Sequence, residues 1–334
     1  MAENNILEVK HLKKYFKTAY GTLHAVDDVN FSVQRGETMG LVGESGCGKS
    51  TIGRLILGLH QATSGEILFE GRDICKMDKR SLHDLRKDMQ IIFQDPYSSL
   101  NPRMSISEII SEPLIIHKKV SSHAELEKRV SELMDTVGLA SRLENSYPHE
   151  LDGGRRQRVG IARALSLRPK FIVCDEPVSS LDVSVQAKII NLLMDLQKQF
   201  GLTYLFISHD LSVVRHISNR IAVMYLGQIV EIADTDKIFE NCQHPYSIAL
   251  LSAIPKVDVE HKTERIILEG DVPSPINPKP GCRFAKRCWM ARERCFADEP
   301  ALAEVEPGHC VACHYAAESR ELAKEAKTMK LSDY

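Results

Sequence analysis

The sequence has no uninterrupted apolar run near the ~18 residues that a membrane span needs. Its first residues, Met-Ala-Glu-Asn-Asn, also lack the basic-then-apolar pattern of a secretion signal. These absences predict a chain made and kept in the cytosol, whose contact with a membrane runs through a partner. There is no charge excess either: 43 basic residues stand against 45 acidic ones. That removes the electrostatic reason to expect a nucleic-acid partner. No long internal repeat divides the 334 residues, a length that allows a main domain with an appendage. Nine cysteines are present, and disulfides are not expected in a reducing compartment. Cys47, Cys75, Cys174 and Cys242 are scattered, whereas the other five crowd into 282–313.

The local patterns predict an α/β fold. Runs at 7–9, 29–33 and 38–42 are β-rich, and Arg35-Gly36-Glu37 breaks them. A glycine-rich stretch at 43–50 precedes helical apolar spacing over 51–59. From about 105 to 165 the pattern is mostly helical, clearest at 125–137. Strands are then predicted at 171–174, 204–208 and 221–225, separated by helices at 185–199 and 211–217. Such alternation argues for a parallel sheet flanked by helices, with a helical insertion. After about 255 the texture changes. Pro273, Pro275, Pro278, Pro280 and Gly281 mark an irregular stretch, the cysteines follow, and a charged tail over 316–334 reads as a frayed helix.

Gly43, Glu44, Ser45, Gly46, Cys47, Gly48, Lys49 and Ser50, followed by Thr51, fit G-x-x-x-x-G-K-S/T at every fixed position. The glycines let the backbone curl around phosphates, and the following helix N-terminus adds its positive dipole end. Lys49 is expected to reach the β- and γ-phosphates and the Ser50 hydroxyl to ligate Mg²⁺. Alone, this says only that the ligand is a nucleoside triphosphate such as ATP. Downstream, Phe171-Ile-Val-Cys-Asp175-Glu176 is an apolar run ending in two carboxylates. Asp175 can hold Mg²⁺ through its water shell. Glu176 is placed to polarise the attacking water.

Further motifs follow in order. They are Gln94 in Ile-Ile-Phe-Gln-Asp-Pro, the Leu151-Asp152-Gly153-Gly154-Arg155 segment, Ser180-Leu181-Asp182, and His209 in Phe-Ile-Ser-His-Asp. Singly, each has a bland explanation as a surface or structural residue. Together with the phosphate loop and the acidic pair, the chain resembles the ATP-binding subunit of an ABC transporter. The resemblance implies a P-loop NTPase of ABC type: a RecA-like core, an antiparallel β subdomain and a helical subdomain at about 100–165. It makes Gln94 the Q-loop residue that senses Mg²⁺ and contacts the membrane partner. Asp182 becomes the D-loop residue and His209 the switch histidine on the γ-phosphate. An aromatic ahead of the first core strands is expected to stack on adenine, Phe16 first and Tyr15 second.

The resemblance narrows further. Asn-Pro-Arg at 101–103, Glu-Pro-Val-Ser-Ser-Leu-Asp-Val-Ser at 176–184, Tyr-Leu-Gly-Gln-Ile-Val-Glu at 225–231 and His244-Pro245-Tyr246 are similar to the oligopeptide/dipeptide importer subfamily, and most to its F-type subunit. This implies a complex of two transmembrane permease subunits, a second and different ATP-binding subunit, and an extracellular or periplasmic solute-binding protein. The chain then sits at the cytoplasmic face of the membrane. Importers of nickel or other small solutes share this ATPase type. A soluble non-transport ABC ATPase and a non-hydrolytic regulatory subunit are the other classes. The first usually carries two cassettes or long insertions, and intact Lys49, Asp175, Glu176 and His209 argue against the second. Two regions are expected, an ATPase domain at 1–255 and a small irregular cysteine-rich domain at 256–334.

The cysteines are spaced C-x5-C-x6-C-x14-C-x2-C. Such thiols bind Zn²⁺ or iron–sulfur groups, or stay reduced and free. A zinc ribbon prefers two close C-x-x-C pairs, and only Cys310/Cys313 offers one. The importer family carries a pattern that resembles Cys282, Cys288, Cys295 and Cys313, which in some members holds a 4Fe–4S cluster. That leaves Cys310 spare.

One position departs from the family pattern. Asp152 stands where the family usually has Ser in a signature that closes over the partner subunit's ATP. A carboxylate only accepts hydrogen bonds. A like-charge pair at 4 Å costs about 4 kcal/mol at an effective dielectric near 20. Asp is also as good a helix N-cap as Ser. The expectation is an unequal pair of sites: normal turnover on this chain's own loop and slow turnover on the partner's, with Arg155 offsetting part of the charge.

Overall fold

The computed structural model describes residues 4–254 and 266–323. Two sheets organise them. An antiparallel sheet, in the order β2-β1-β4-β5, is built on a long hairpin of β1 (Asn5–Thr18) and β2 (Gly21–Gln34), flanked by β4 (Ser64–Phe69) and β5 (Arg72–Asp73). The main sheet runs β11-β12-β10-β9-β3-β8-β7-β6. Its strands are β3 (Thr38–Val42), β6 (Met89–Ile92), β7 (Phe171–Asp175), β8 (Thr203–Ser208), β9 (Arg220–Tyr225), β10 (Gln228–Asp234), β11 (Ala303–Glu306) and β12 (His309–Val311). The pairs β6–β7, β7–β8, β8–β3 and β3–β9 are parallel, and from β9 outward the pairing is antiparallel. The predicted parallel sheet is therefore a mixed one.

Helices cover the main sheet. They are α1 (Lys49–Ile56), α2 (Lys79–Leu85), α3 (Ile106–Ile116), α4 (His123–Thr136), α5 (Gly153–Leu165), α6 (Val183–Phe200), α7 (Leu211–Ile217), α8 (Thr235–Asn241), α9 (Pro245–Ser252) and the short α10 (Glu293–Ala297). None among the described residues is long and apolar enough to cross a membrane. Helix α1 starts two residues before its predicted start, because Gly48 in the left-handed region opens it. Ser105 and Glu108 start α3 with a reciprocal capping box, and Asp182 caps α6.

The central strands are apolar on both faces, as parallel strands covered by helices must be. Their period-two alternation divides the interior into two cores. Ile172, Cys174, Tyr204, Phe206, Ile221 and Val223 pack with α3, α5 and α6. Phe171, Val173, Leu205, Ile207, Ala222 and Met224 pack with α1 and the β1–β2 hairpin. The C-terminal region joins the same sheet, since Glu231 pairs with Val311 and Ile232 with Cys310. Residues 324–334 of the expected tail and the expected boundary near 255 lie outside the described residues.

Candidate functional site

The parallel strands all end on one edge, and the polar motif residues leave from there. The loop after β3 leads into α1, Gln94 follows β6, Asp175 and Glu176 end β7, and His209 follows β8. Between them lies a cleft of about 560 Å³, lined by Phe16, Ser45 to Thr51, Gln94, Glu176 and His209. His24, Ala25, Leu226, Gly227 and Pro275 line it too.

The loop is wrapped tightly. A Cβ on Gly43 would lie 2.1 Å from the Met224 carbonyl oxygen, and one on Gly48 would lie 2.1 Å from that of Ala25. Both glycines sit at positive φ, 152° and 108°, so only glycine fits there. Buried Lys49 donates from Nζ to the carbonyls of Gly43 at 2.8 Å and Glu44 at 2.9 Å. The Ser50 hydroxyl donates to Asp175 Oδ1 at 2.7 Å. Burial pushes the Asp175 carboxyl above its usual range, and the Ser50 bond only partly offsets that.

Glu176 is the hub of the cleft. Its Oε2 accepts from Gln94 Nε2 at 3.0 Å and lies 3.2 Å from His209 Nδ1. Its backbone is left-handed, at φ 48°, a state that costs a non-glycine residue about 1–3 kcal/mol. The Glu176 amide bond to the Ile207 carbonyl, 2.9 Å, holds it there. Three motifs from three strand ends thus meet on one carboxylate.

The geometry matches known proteins over most of the chain. Residues 26–179 match the family described as ABC transporter, and residues 230–295 match the oligopeptide/dipeptide transporter C-terminal region. Oligopeptide transport ATP-binding protein AppF of Bacillus subtilis is 49% identical over 322 residues, covering 93% of this chain and 98% of AppF. Oligopeptide transport ATP-binding protein OppF of Haemophilus influenzae is 50% identical over 319 residues, covering 92% and 96%. The chain belongs to the ABC transporter family, in its oligopeptide/dipeptide branch. Among solved structures, the ATP-binding cassette MJ0796, in a dimeric post-hydrolysis state bound to ADP and Pi, aligns with TM-score 0.63 and 31% identity over 69% of this chain and 98% of that one. The cassette cbiO1 of Clostridium perfringens aligns with TM-score 0.64 and 30% identity over 72% and 92%.

Within this ABC cassette, the remaining expected site residues are distributed unevenly. Phe16 lines the cleft, but Tyr15 does not: its hydroxyl donates to Asp27 and its ring stacks on His24 at 4.0 Å. That half-buried hydrogen bond holds the Tyr15 ring against His24 and Asp27. Glu44 also points away, toward Arg287 at 3.1 Å. Asp182 is exposed and caps α6 through the Val185 amide at 2.9 Å. Asp152 caps α5 through the Arg155 amide at 2.7 Å and pairs with Arg155 Nε at 3.5 Å. Gly153 and Gly154 lie under Leu181 and Val185, where an added Cβ would sit 3.0 and 2.7 Å from those side chains. The Gly153-Gly154 pair therefore packs on Leu181 and the start of α6, and neither glycine lines the cleft.

Cys282, Cys288, Cys295 and Cys313 line one small cavity of about 20 Å³ together with His244, Phe284 and Tyr315. Cys310 is elsewhere, on β12 against Ile232. Burial pushes the Cys288 thiol up to about 12 and that of Cys313 up to about 11. Among the described residues, no three His, Cys, Asp or Glu side chains are gathered closely enough to hold one metal ion. Among the described residues the structure therefore supports neither the single-ion zinc site expected as an alternative nor the expected 4Fe–4S cluster. A zinc ion draws its ligands to about 2.0–2.3 Å from one point, and these thiols surround a cavity instead.

The sequence reading missed Pro275, His24 and the Leu226-Gly227 turn. Pro275 reaches the cleft because its carbonyl accepts from the His24 amide at 3.0 Å. That bond joins residues some 250 positions apart, and no local pattern announces it.

Proposed function

We propose that this chain is the motor subunit that binds and hydrolyses ATP for a membrane importer of di- and oligopeptides. The convergence of Gln94, Glu176 and His209 beside the phosphate loop carries the reading. The oligopeptide-transport names of AppF and OppF favour peptide over nickel or another small solute. In this reading the loop amides and Lys49 bind the phosphates, and the Phe16 ring faces the base. Glu176 takes the proton of the attacking water, held by Gln94 and His209. Ser50 and Asp175 set a hydroxyl beside a carboxylate, the hard oxygen donors that Mg²⁺ takes. Mg²⁺ bound there supplies charge neutralisation on the phosphates.

The partners of this reading are two permease subunits, a second ATP-binding subunit and a solute-binding protein, which places the chain at the cytoplasmic face of the membrane. Asp152 would face the partner's nucleotide as a carboxylate already engaged by the Arg155 amide and guanidinium. That favours slow turnover on the partner's loop and normal turnover on this one. The four cysteines that line one cavity would be the Cys₄ donor set of a 4Fe–4S cluster. The free volume between them equals about one water, so seating the cluster requires the thiols to swing outward. Iron content and visible absorbance of anaerobically purified protein decide this part; iron-free, colourless protein excludes it.

The test of the main reading is Glu176→Gln in the assembled transporter in vesicles. ATP-driven peptide uptake should stop while ATP still binds. Continued uptake would refute the assignment.

A further inference from the structure

The cysteine-lined segment is bolted to the nucleotide cleft by two arginines, each beside a cysteine. Arg283 follows Cys282, and its guanidinium donates to the Leu226 carbonyl and to Asp27. Arg287 precedes Cys288. One of its terminal nitrogens donates to both carboxylate oxygens of Glu44, at 3.2 and 3.1 Å, and reaches the Tyr225 hydroxyl at 3.5 Å. The Arg287 side chain is only 9% exposed. Between the arginines, buried Phe284 packs its ring 5.3 Å from Tyr225 and 5.5 Å from Tyr246.

Glu44 is the second residue of the phosphate loop, and it is held at three points. Its carboxylate takes Arg287, its amide donates to the Tyr246 hydroxyl at 2.9 Å, and its carbonyl accepts from Lys49 Nζ at 2.9 Å. Displacing Glu44 therefore displaces a bonding partner of the lysine assigned to the phosphates. The opposite side of the loop is held in the same way. The Gly227 amide donates to the Cys47 carbonyl at 2.9 Å, and Gly227 follows the Leu226 carbonyl that Arg283 grips. A phosphate loop gains affinity from being ordered before the ligand arrives. Here part of that order comes from residues about 240 positions downstream.

On the reading that residues 43–50 cradle ATP, we propose that Arg287 is a positioning residue for the nucleotide: it pins the phosphate loop at Glu44, and so ties ATP affinity to the order of the cysteine-lined segment. It touches no nucleotide itself. A merely structural arginine would lower stability when removed and leave the remaining folded enzyme with its normal affinity. A positioning arginine changes affinity in the folded enzyme and is rescued by another cation.

The experiment measures ATP KM and kcat in the assembled transporter, and ATP affinity of the full-length chain with a fluorescent ATP analogue. Arg287→Met should raise KM about three- to tenfold, with kcat held within about twofold. Arg287→Lys should restore most of the affinity, because a lysine can meet Glu44 as a point charge. Glu44→Gln, which leaves Arg287 and its packing in place, should give the same shift, and the double variant should add nothing to it. Cys288→Ala should raise KM in the same direction, with less than the full effect when combined with Arg287→Met. Unchanged KM in both Arg287→Met and Glu44→Gln overturns the proposal, as does a loss confined to kcat. In either case, lost binding in Lys49→Ala shows that the ATP site itself still stands. Wild-type binding in Lys49→Ala overturns both readings.

Discussion

In the nucleotide cleft the reactive groups stand at the C-terminal ends of β3, β6, β7 and β8, whereas the four cysteines hang on turns, a five-residue helix and the segment after β12. The first set is positioned by backbone hydrogen bonds of a sheet buried on both faces. The second set is positioned by side chains that cross between distant segments. Arg283 reaches Asp27, Arg287 reaches Glu44, and His309 Nε2 lies 2.8 Å from Glu231 with both side chains fully buried. Strand ends bring a catalytic group to its place with few special contacts. An irregular segment needs long-range polar contacts between side chains, and each of these places a load on one or two residues.

This contrast makes changes in the cleft costly to turnover and changes in the C-terminal region costly to stability. The largest effect should come from Glu176→Gln. In the general-base role proposed for Glu176, its loss should lower ATP turnover about a thousandfold, while the melting temperature stays near that of the parent chain. An equal loss of stability would erase the contrast. On the other side, His309→Ala leaves the buried Glu231 carboxylate with the amides of Gln243 and His244 as its partners among the described residues. Losing a hydrogen bond to a buried carboxylate costs about 1.5–3 kcal/mol, readable as a lower denaturant midpoint. If the sheet alone held β11 and β12, that midpoint would hardly move.

The junction between the regions adds a pH test. Burial pushes the Asp27 carboxyl up, but hydrogen bonds from His24 and Tyr15 and the charge of Arg283 outweigh it and hold Asp27 below its ordinary value of 3.8. A carboxyl depressed in the folded state contributes stability above 3.8 and loses it as pH falls through the folded value. Asp27→Asn should therefore be less stable than the parent at pH 7, with the gap closing in acid. A constant gap from pH 7 to pH 3 would show that packing, not charge, joins the regions there. The smallest effect on folding should come from Asp152→Ser. Ser caps a helix about as well as Asp, so stability should shift by only a few tenths of a kcal/mol. Turnover at the partner's loop, isolated with Glu176→Gln in this chain, should rise. No rise would remove the unequal-pair reading and leave Asp152 as a helix cap.

Most of the cleft was legible from the chain alone. Glycine at 43 and 48, Lys49, Ser50, the Asp175-Glu176 pair and His209 each come at or after a strand read from the sequence, whereas Gln94 was found only through the family motif, since the strand before it, β6, was not read. A strand end plus a polar residue is a local pattern. Strand 38–42 and helix 211–217 also stand where the apolar spacing placed them. Tyr15, the second adenine candidate, came from its position ahead of the core strands, and position in the chain does not say what a side chain reaches. The bond to Asp27 that holds it lies on the neighbouring strand. Strands β4, β5, β6, β10, β11 and β12 were missed: β5 is two residues and β12 three, too short for a period-two signal, and β11 is exposed along its whole length.

What the amino-acid order determined by itself was the family of the motor: the motifs at 43–50, 175–176 and 209 are each encoded within a few residues. Tertiary structure alone decided that Glu176 gathers Gln94 and His209, that four cysteines share one cavity while Cys310 does not, and that Arg287 grips the phosphate loop. The physical reason is range. Turn chemistry and apolar periodicity act between neighbours in sequence, whereas buried ion pairs and shared cavities exist only once the two sheets have brought distant segments together.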